Sequence, residues 1–195
     1  MSTIFYLMGK SSSGKDTMYK RICAERPDLN RITMYTTRPI RAGETEGEEY
    51  HFVDEETLQK LEDAGKVIEL RAYHTVHGVW KYFTVDDGQI DLKRKNYLMI
   101  GTLESYVAIV RYFGEDAVKP IYLNVEDGLR LSRALERERS QESPKYAELC
   151  RRFLADTEDF SEEKLSEAGI SRIFENVDFD VCLREILGFI EESLS

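Results

Sequence analysis

The chain has 195 residues, 42% of them apolar and 33% charged, with only four prolines, a composition that closes one globular core without disulfide staples. Its 37 acidic and 27 basic residues give a formal net charge of -10, and neither half carries a basic tail, which excludes extended nucleic acid as the default partner. Cys23, Cys150 and Cys182 are odd in number, far apart and without metal-ligand spacing, which fits a reducing compartment. The opening MSTIFYLMGK lacks a basic flank, and no apolar run approaches the roughly 18 residues of a membrane span, so the expectation is a cytoplasmic protein without a membrane partner.

In chain order, Ile4 to Met8 is nearly all apolar and ends at Gly9, and a helix-compatible stretch starts near Gly14; this predicts a buried strand turning into a helix. A second strand is predicted over Ile32 to Tyr35, before Arg38-Pro39 and the polar RAGETEGEE segment. Val67 to Leu70 and Val79 to Val85 read as strands without long crossover helices, so residues 37–87 are expected to form a small α+β insertion. Tyr97 to Ile100, a helix over Leu103 to Phe113 and a strand over Val118 to Val125 resume the crossover pattern. From Glu126 to Phe160 the sequence is charged and helix-forming, with a break at SQESP, because the residue before Pro144 is disfavoured in helical geometry. A last strand over Ile173 to Asn176 precedes a helix whose Phe179, Cys182, Leu183, Ile186, Leu187 and Ile190 share one apolar face. The expected architecture is one α/β domain with five parallel strands. Residues 1–36, 88–136 and 158–195 form the core, 37–87 the insertion and 137–157 a helical lid.

The segment GKSSSGKDT has the phosphate-loop pattern of glycine, four residues, glycine and lysine, placed between strand and helix. Gly9, Lys10, Ser11, Ser12, Ser13, Gly14, Lys15, Asp16 and Thr17 are the candidate ATP-binding residues. In such loops backbone N–H groups and a helix N-terminus surround phosphate oxygens, and Lys15 adds a mobile cation. A serine or threonine usually follows the lysine to reach magnesium. Here Asp16 stands there, followed by Thr17, and either can supply the oxygen to Mg2+. Both residue types also suit a plain helix start.

Downstream, Thr36-Thr37-Arg38-Pro39, Arg41, Gly43-Glu44, Gly47 and Tyr50-His51-Phe52 gather rigid arginine forks and a phenol suited to an anion, with Glu44 available to orient an arginine. Taken alone, the block also fits a solvated hairpin with local ion pairs. With the phosphate loop, however, TTRPIRAGETEGEEYHF resembles the guanylate kinase family, and the resemblance runs from Gly9 through the terminal helix.

That resemblance implies a three-layer P-loop kinase fold with a five-stranded parallel sheet, an acceptor-binding insertion and a lid. It implies phosphoryl transfer from ATP, with Mg2+, to GMP or dGMP. Arg38, Arg41, Glu44 and Tyr50 match the acceptor-phosphate site, with Tyr82 as a further donor, Glu69 matches the carboxylate that reads guanine, and Thr84 adds a hydroxyl toward the base. Asn176 matches a position beside the donor adenine. Three departures stand out: Met34 replaces a serine, YHTVHGVWKYFT is longer than the family's tight turn, and Gly101 falls where a base-reading aspartate is expected, with Thr102 the nearest polar substitute. His74, His77 and Trp80 are expected to shape this wall rather than bind a metal, since the two histidines have no clear third ligand.

Arg133, Arg137, Arg139, Arg151 and Arg152 cluster in the lid against the chain's net charge, as suits a segment closing over transferring phosphates. The resemblance selects one of Arg137 and Arg139 and one of Arg151 and Arg152 as catalytic beside Lys15, with Asp156 or Glu158 to orient them. Two other readings stay compatible with the sequence: a kinase of this fold with a different nucleoside monophosphate, and a noncatalytic binding domain.

Overall fold

A computed structural model describes residues 2–75 and 78–195. Strand β1 (Ile4–Met8) is buried at all five positions, which explains its unbroken apolar sequence. Its even residues Ile4, Tyr6 and Met8 pack with Tyr106 and Ile109 of one helix layer. Its odd residues Phe5 and Leu7 pack with Met18, Ile22, Cys182, Ile186 and Ile190 of the other. A strand with period-two side chains can serve two cores only when helices cover both faces.

Helix α1 (Lys15–Glu25) leaves β1 and returns to β2 (Asn30–Arg31). The central sheet has the order β2, β7 (Tyr97–Gly101), β1, β8 (Val118–Asn124), β9 (Ile173–Glu175), and every pairing is parallel. Helices α3 (Leu103–Phe113), α4 (Asp127–Arg139) and α7 (Phe179–Leu194) complete the crossovers and the final cover. This is the three-layer α/β fold with five parallel strands that the sequence predicts.

A second, mixed sheet contains β3 (Tyr35–Thr36), β4 (His51–Phe52), β5 (Val67–Thr75) and β6 (Gly78–Val85), in the order β4, β3, β6, β5. Helix α2 (Glu55–Asp63) covers one side through Leu58, which packs with Phe83 and Val85. The antiparallel register Glu69 to Thr84 and Arg71 to Tyr82 puts the opposite, polar face of β5 and β6 toward the central sheet.

Two expectations change here. The predicted strand Ile32 to Tyr35 is not continuous: Asn30–Arg31 joins the central sheet and Tyr35–Thr36 the second one, while Ile32 and Met34 are buried at the crossing. Burial on the way between two sheets gives the same apolar signal as a strand. Strand β5 also runs on to Thr75, because pairing with β6 continues through His74 and Val79.

The predicted corner lies between α4 and α5 (Tyr146–Asp159), and a further short helix, α6 (Glu162–Glu167), is capped by Ser161 accepting from Lys164 N. Among the described residues no helix is long and apolar enough to cross a membrane. All three cysteines are free thiols.

Candidate functional site

The phosphate loop is shaped by close packing. A Cβ on Gly9 would lie 2.5 Å from the Leu123 carbonyl oxygen, and one on Gly14 would lie 2.7 Å from Asn176 Nδ2. Ser12 and Gly14 both adopt left-handed backbone, at φ 63° and 86°. The buried Asn176 braces the turn: its Nδ2 donates to Ser13 O at 2.8 Å, and its backbone N donates to Asn124 O at 2.8 Å. The Asn176 amide nitrogen is therefore committed to the loop backbone.

Lys15, Asp16 and Thr17 occupy the first turn of α1, where the helix leaves its first N–H groups without intrahelical partners. With Ser12, Arg133 and Arg137 they line a cavity of about 230 Å³. Arg137 donates to Ser12 Oγ at 3.3 Å, and Arg133 to Asn176 O at 3.3 Å.

Helices α4 and α5 are fastened to this loop by a residue sequence reasoning missed. Arg130, on α4, is 1% exposed and donates to Asp127 at 3.0 Å, Asp156 at 3.0 Å and Ser11 O at 3.2 Å. Its guanidinium lies 4.3 Å from the Phe153 ring centroid, and Asp156 also accepts from Ser11 N at 2.9 Å. Of the two acids considered as orienting groups, Asp156 faces the arginine, while Glu158 is exposed. Arg130, Arg133 and Arg137 recur at i, i+3 and i+7, a one-face spacing that would have singled out Arg130.

A second cavity of about 230 Å³ opens between α4 and α5, lined in part by Ser11, Ser12, Arg137 and Arg152. Arg139 and Arg151 are exposed and line neither cavity. Arg151 and Arg152 both donate to Glu148 at 2.8 Å; the hydrogen bond from Arg151, followed by that from Arg152, holds its carboxyl at about 2.

In the second sheet Arg38 is almost wholly buried, and its fork is taken up by Glu44 at 2.7 and 2.5 Å. Glu44 also accepts from Arg41 N at 2.8 Å, so one carboxylate fixes both ends of the turn. The hydrogen bond from Arg38 holds the Glu44 carboxyl below the usual carboxylate range. Arg38 lies 5.3 Å from the Tyr50 ring centroid, Tyr82 borders its guanidinium, and the Tyr50 and Tyr82 rings meet edge on at 5.6 Å. Burial raises the Tyr50 phenol, keeping it a hydrogen-bond donor at neutral pH. Arg41 is exposed and stands over Trp80 at 5.8 Å. His74 lies exposed on β5, and His77 lies outside the described residues.

Glu69 is buried, and its partners differ from the sequence expectation. Arg71, absent from the predicted set, donates through Nε at 2.9 Å and through a terminal nitrogen at 3.2 Å; Thr84 donates its hydroxyl at 2.8 Å. Thr84 thus serves the carboxylate rather than pointing independently into the site. Arg71 continues to Thr102 Oγ1 at 3.4 Å and Met34 Sδ at 3.7 Å. Burial works to lower the Arg71 pKa, but the Glu69 carboxylate together with Tyr6 and Tyr73 offsets it, and the net shift is upward.

Thr102 caps α3, its hydroxyl accepting from Ser105 N. At Gly101 any Cβ would overlap the Tyr6 hydroxyl, which is hydrogen-bonded to Ser105, so the space for a side chain there is filled from β1.

A parallel α/β sheet with a phosphate-loop motif at the end of its first strand, beside a second sheet whose Arg38 fork is fixed by Glu44, defines a protein of the phosphate-loop α/β class. A guanylate kinase family model matches residues 1–79. The guanylate kinase of Aromatoleum aromaticum is 38% identical over 72 residues, 37% of this chain and 35% of that protein. The guanylate kinase of Salinibacter ruber is 28% identical over 198 aligned positions covering 98% of this chain and 97% of that one. The aligned part therefore spans about a third of the first relative and nearly all of the second. A solved guanylate kinase from Anaplasma phagocytophilum superposes with a TM-score of 0.66 at 19% identity, covering 98% of this chain and 85% of that one, which shows a shared fold. The likeness to guanylate kinases thus has two parts: a family-model match over residues 1–79 and a fold likeness along nearly the whole chain.

Proposed function

We propose that the protein transfers the terminal phosphoryl group of ATP to GMP or dGMP, forming ADP and the nucleoside diphosphate. The observation that carries this reading is the opposition of two anion-binding constellations: the Lys15 loop, and the Arg38, Arg41, Tyr50 and Tyr82 group. The polar face of β5 and β6 meets the end of β7, the strand beside β1, through Arg71 and Thr102 at 3.4 Å. The names of its relatives support the same activity. Residues 137–157 act in this reading as the lid and 37–87 as the acceptor insertion on a core of 1–36, 88–136 and 158–195. The partners are small nucleotides, without nucleic acid or membrane, in the cytoplasm.

Gly9 through Thr17 hold the donor phosphates, and Asn176 fixes the loop through its amide while lying beside the donor base. Lys15, Arg137 and Arg152 neutralise charge on the transferring group, and the exposed Arg139 and Arg151 are second in line for that role. Arg38, Arg41 and Tyr82 with Tyr50 grip the acceptor phosphate, whose oxygen is already a competent nucleophile, so no covalent protein intermediate is needed. Alignment and charge stabilisation supply the catalysis.

Asp16 and Thr17 fit Mg2+: one carboxylate and one hydroxyl, both exposed beside Lys15, suit a cation that keeps waters and takes its remaining oxygens from phosphates. When bound there, the ion would offset phosphate charge.

An ADP-release assay with ATP and magnesium across GMP, dGMP, AMP, CMP and UMP, with the diphosphate product identified directly, tests the reading. Rapid GDP formation is expected; no acceptor-dependent product from folded protein would refute it. Arg38→Lys keeps a charge for Glu44 but loses the fork. It should raise the KM for GMP roughly 10- to 100-fold, the worth of one charged hydrogen bond, with a smaller effect on kcat. An unchanged KM removes Arg38 from the acceptor site.

A further inference from the structure

The kinase reading leaves open how the acceptor base is read, and Glu69 and Arg71 bear on that directly. An ionised carboxylate has about four lone-pair positions. Glu69 fills three of them, with Arg71 Nε, an Arg71 terminal nitrogen and the Thr84 hydroxyl. Among the described residues one acceptor position remains. Among the described residues the other contacts of Arg71 are long ones, 3.4 Å to Thr102 and 3.7 Å to the Met34 sulfur, and a hydrogen bond to the Tyr73 side chain.

Both groups stand on the polar face of β5 and β6, where Arg71 pairs in register with Tyr82 of the anion group. A nucleotide phosphate held by Arg38, Tyr50 and Tyr82 has this face as the wall beside its base. The wall offers donors from a guanidinium next to a single acceptor from a carboxylate. A 6-oxopurine presents the complement on adjacent atoms, an accepting C6 carbonyl and a donating N1–H. Adenine presents the reverse, and a 2-amino group would require a second free lone pair on Glu69.

We propose that Arg71 is a specificity-determining residue of this site and that Arg71 and Glu69 together select the acceptor by the C6 carbonyl and N1–H of a 6-oxopurine. The 2-amino group is read weakly, so IMP is an acceptor alongside GMP. This inference rests on the kinase reading for its setting. Its chemistry rests on the buried pair and on the fit of an arginine fork to a purine carbonyl edge.

The test needs no variant at first. Wild-type kcat/KM is measured with ATP and magnesium for GMP, IMP and 2-aminopurine riboside 5'-monophosphate, which keeps the amino group and lacks the carbonyl. IMP should fall within about tenfold of GMP. The 2-aminopurine nucleotide should fall roughly 10- to 100-fold below it, the discrimination one well-formed arginine contact supplies. The opposite order overturns the proposal.

Arg71→Lys, which keeps a cation beside Glu69, should raise the KM for GMP and IMP alike and leave the 2-aminopurine nucleotide unchanged. A uniform loss across all three would mark a purely structural residue. Arg71→Gln binding GMP more tightly than wild type would mark Arg71 as a plug, and either result overturns the proposal. If no acceptor releases ADP, the kinase reading fails on its own. Calorimetric titration of the same three nucleotides then tests base reading without turnover, and equal or absent binding of all three overturns it.

Discussion

Lys15→Ala is expected to lower kcat for GMP phosphorylation by about a thousandfold or more, the loss typical of removing one preorganised charge at a transferring group. Lys15 sits at the first position of α1 in the cavity it shares with Asp16, Thr17 and Arg137. Among the described residues it makes no ion pair, so its charge is uncommitted to holding the fold. Stability should therefore change by no more than about 0.5 kcal/mol, as for surface substitutions away from special contacts. Circular-dichroism melting beside the ADP-release assay separates the two effects. A variant with wild-type turnover removes Lys15 from the chemistry, and one that melts far lower assigns it a structural task.

Arg130→Met carries the largest expected effect on stability. Its guanidinium is buried and joins Asp156, whose side chain is only 15% exposed, to the backbone of Ser11. Deleting it leaves that carboxylate without its cation in a poorly solvated place, a change that typically costs about 3 to 5 kcal/mol. The pair with Asp127 adds little, because that carboxylate is 46% exposed and water competes for it. At roughly 2 to 4 °C per kcal/mol for a domain of this size, the melting temperature should fall by about 10 °C.

The KM for ATP should rise as well, since the same contacts hold Ser11 in place. Arg130→Met combined with Asp156→Asn should recover part of the stability by removing the unpaired charge. An unchanged melting temperature in the single variant would show that the loop and α5 are not fastened there. Calorimetric melting of both variants decides it.

These two residues were unequally visible in the sequence. Lys15 belongs to a local pattern in which strand, glycines and lysine are neighbours, so its place follows from chain geometry alone. The Arg38 to Glu44 pair is equally local, closing within six residues. Arg130 stands in a charged helix where any arginine reads as solvated, and only Ser11, 119 residues away, reveals its role. Arg71 is masked differently. In an alternating strand it passes for an outward-facing cation, whereas the packing of the second sheet against Met34 and Thr102 encloses it.

The length and composition of this chain and its apolar strand runs determined by themselves an α/β core, with a glycine loop after the first strand and a cluster of arginines and tyrosines beyond it. These features are short-range: strand period, glycine conformations and the run of residues along one turn fix them before any long contact forms. Tertiary structure decided which charges are committed. It spends most of the Glu69 carboxylate on Arg71 and Thr84, places the Tyr6 hydroxyl where Gly101 would need a side chain, and ties α5 to the phosphate loop through Arg130. A charged side chain's role depends on its partner and on how much water reaches it, and both come from residues distant in sequence.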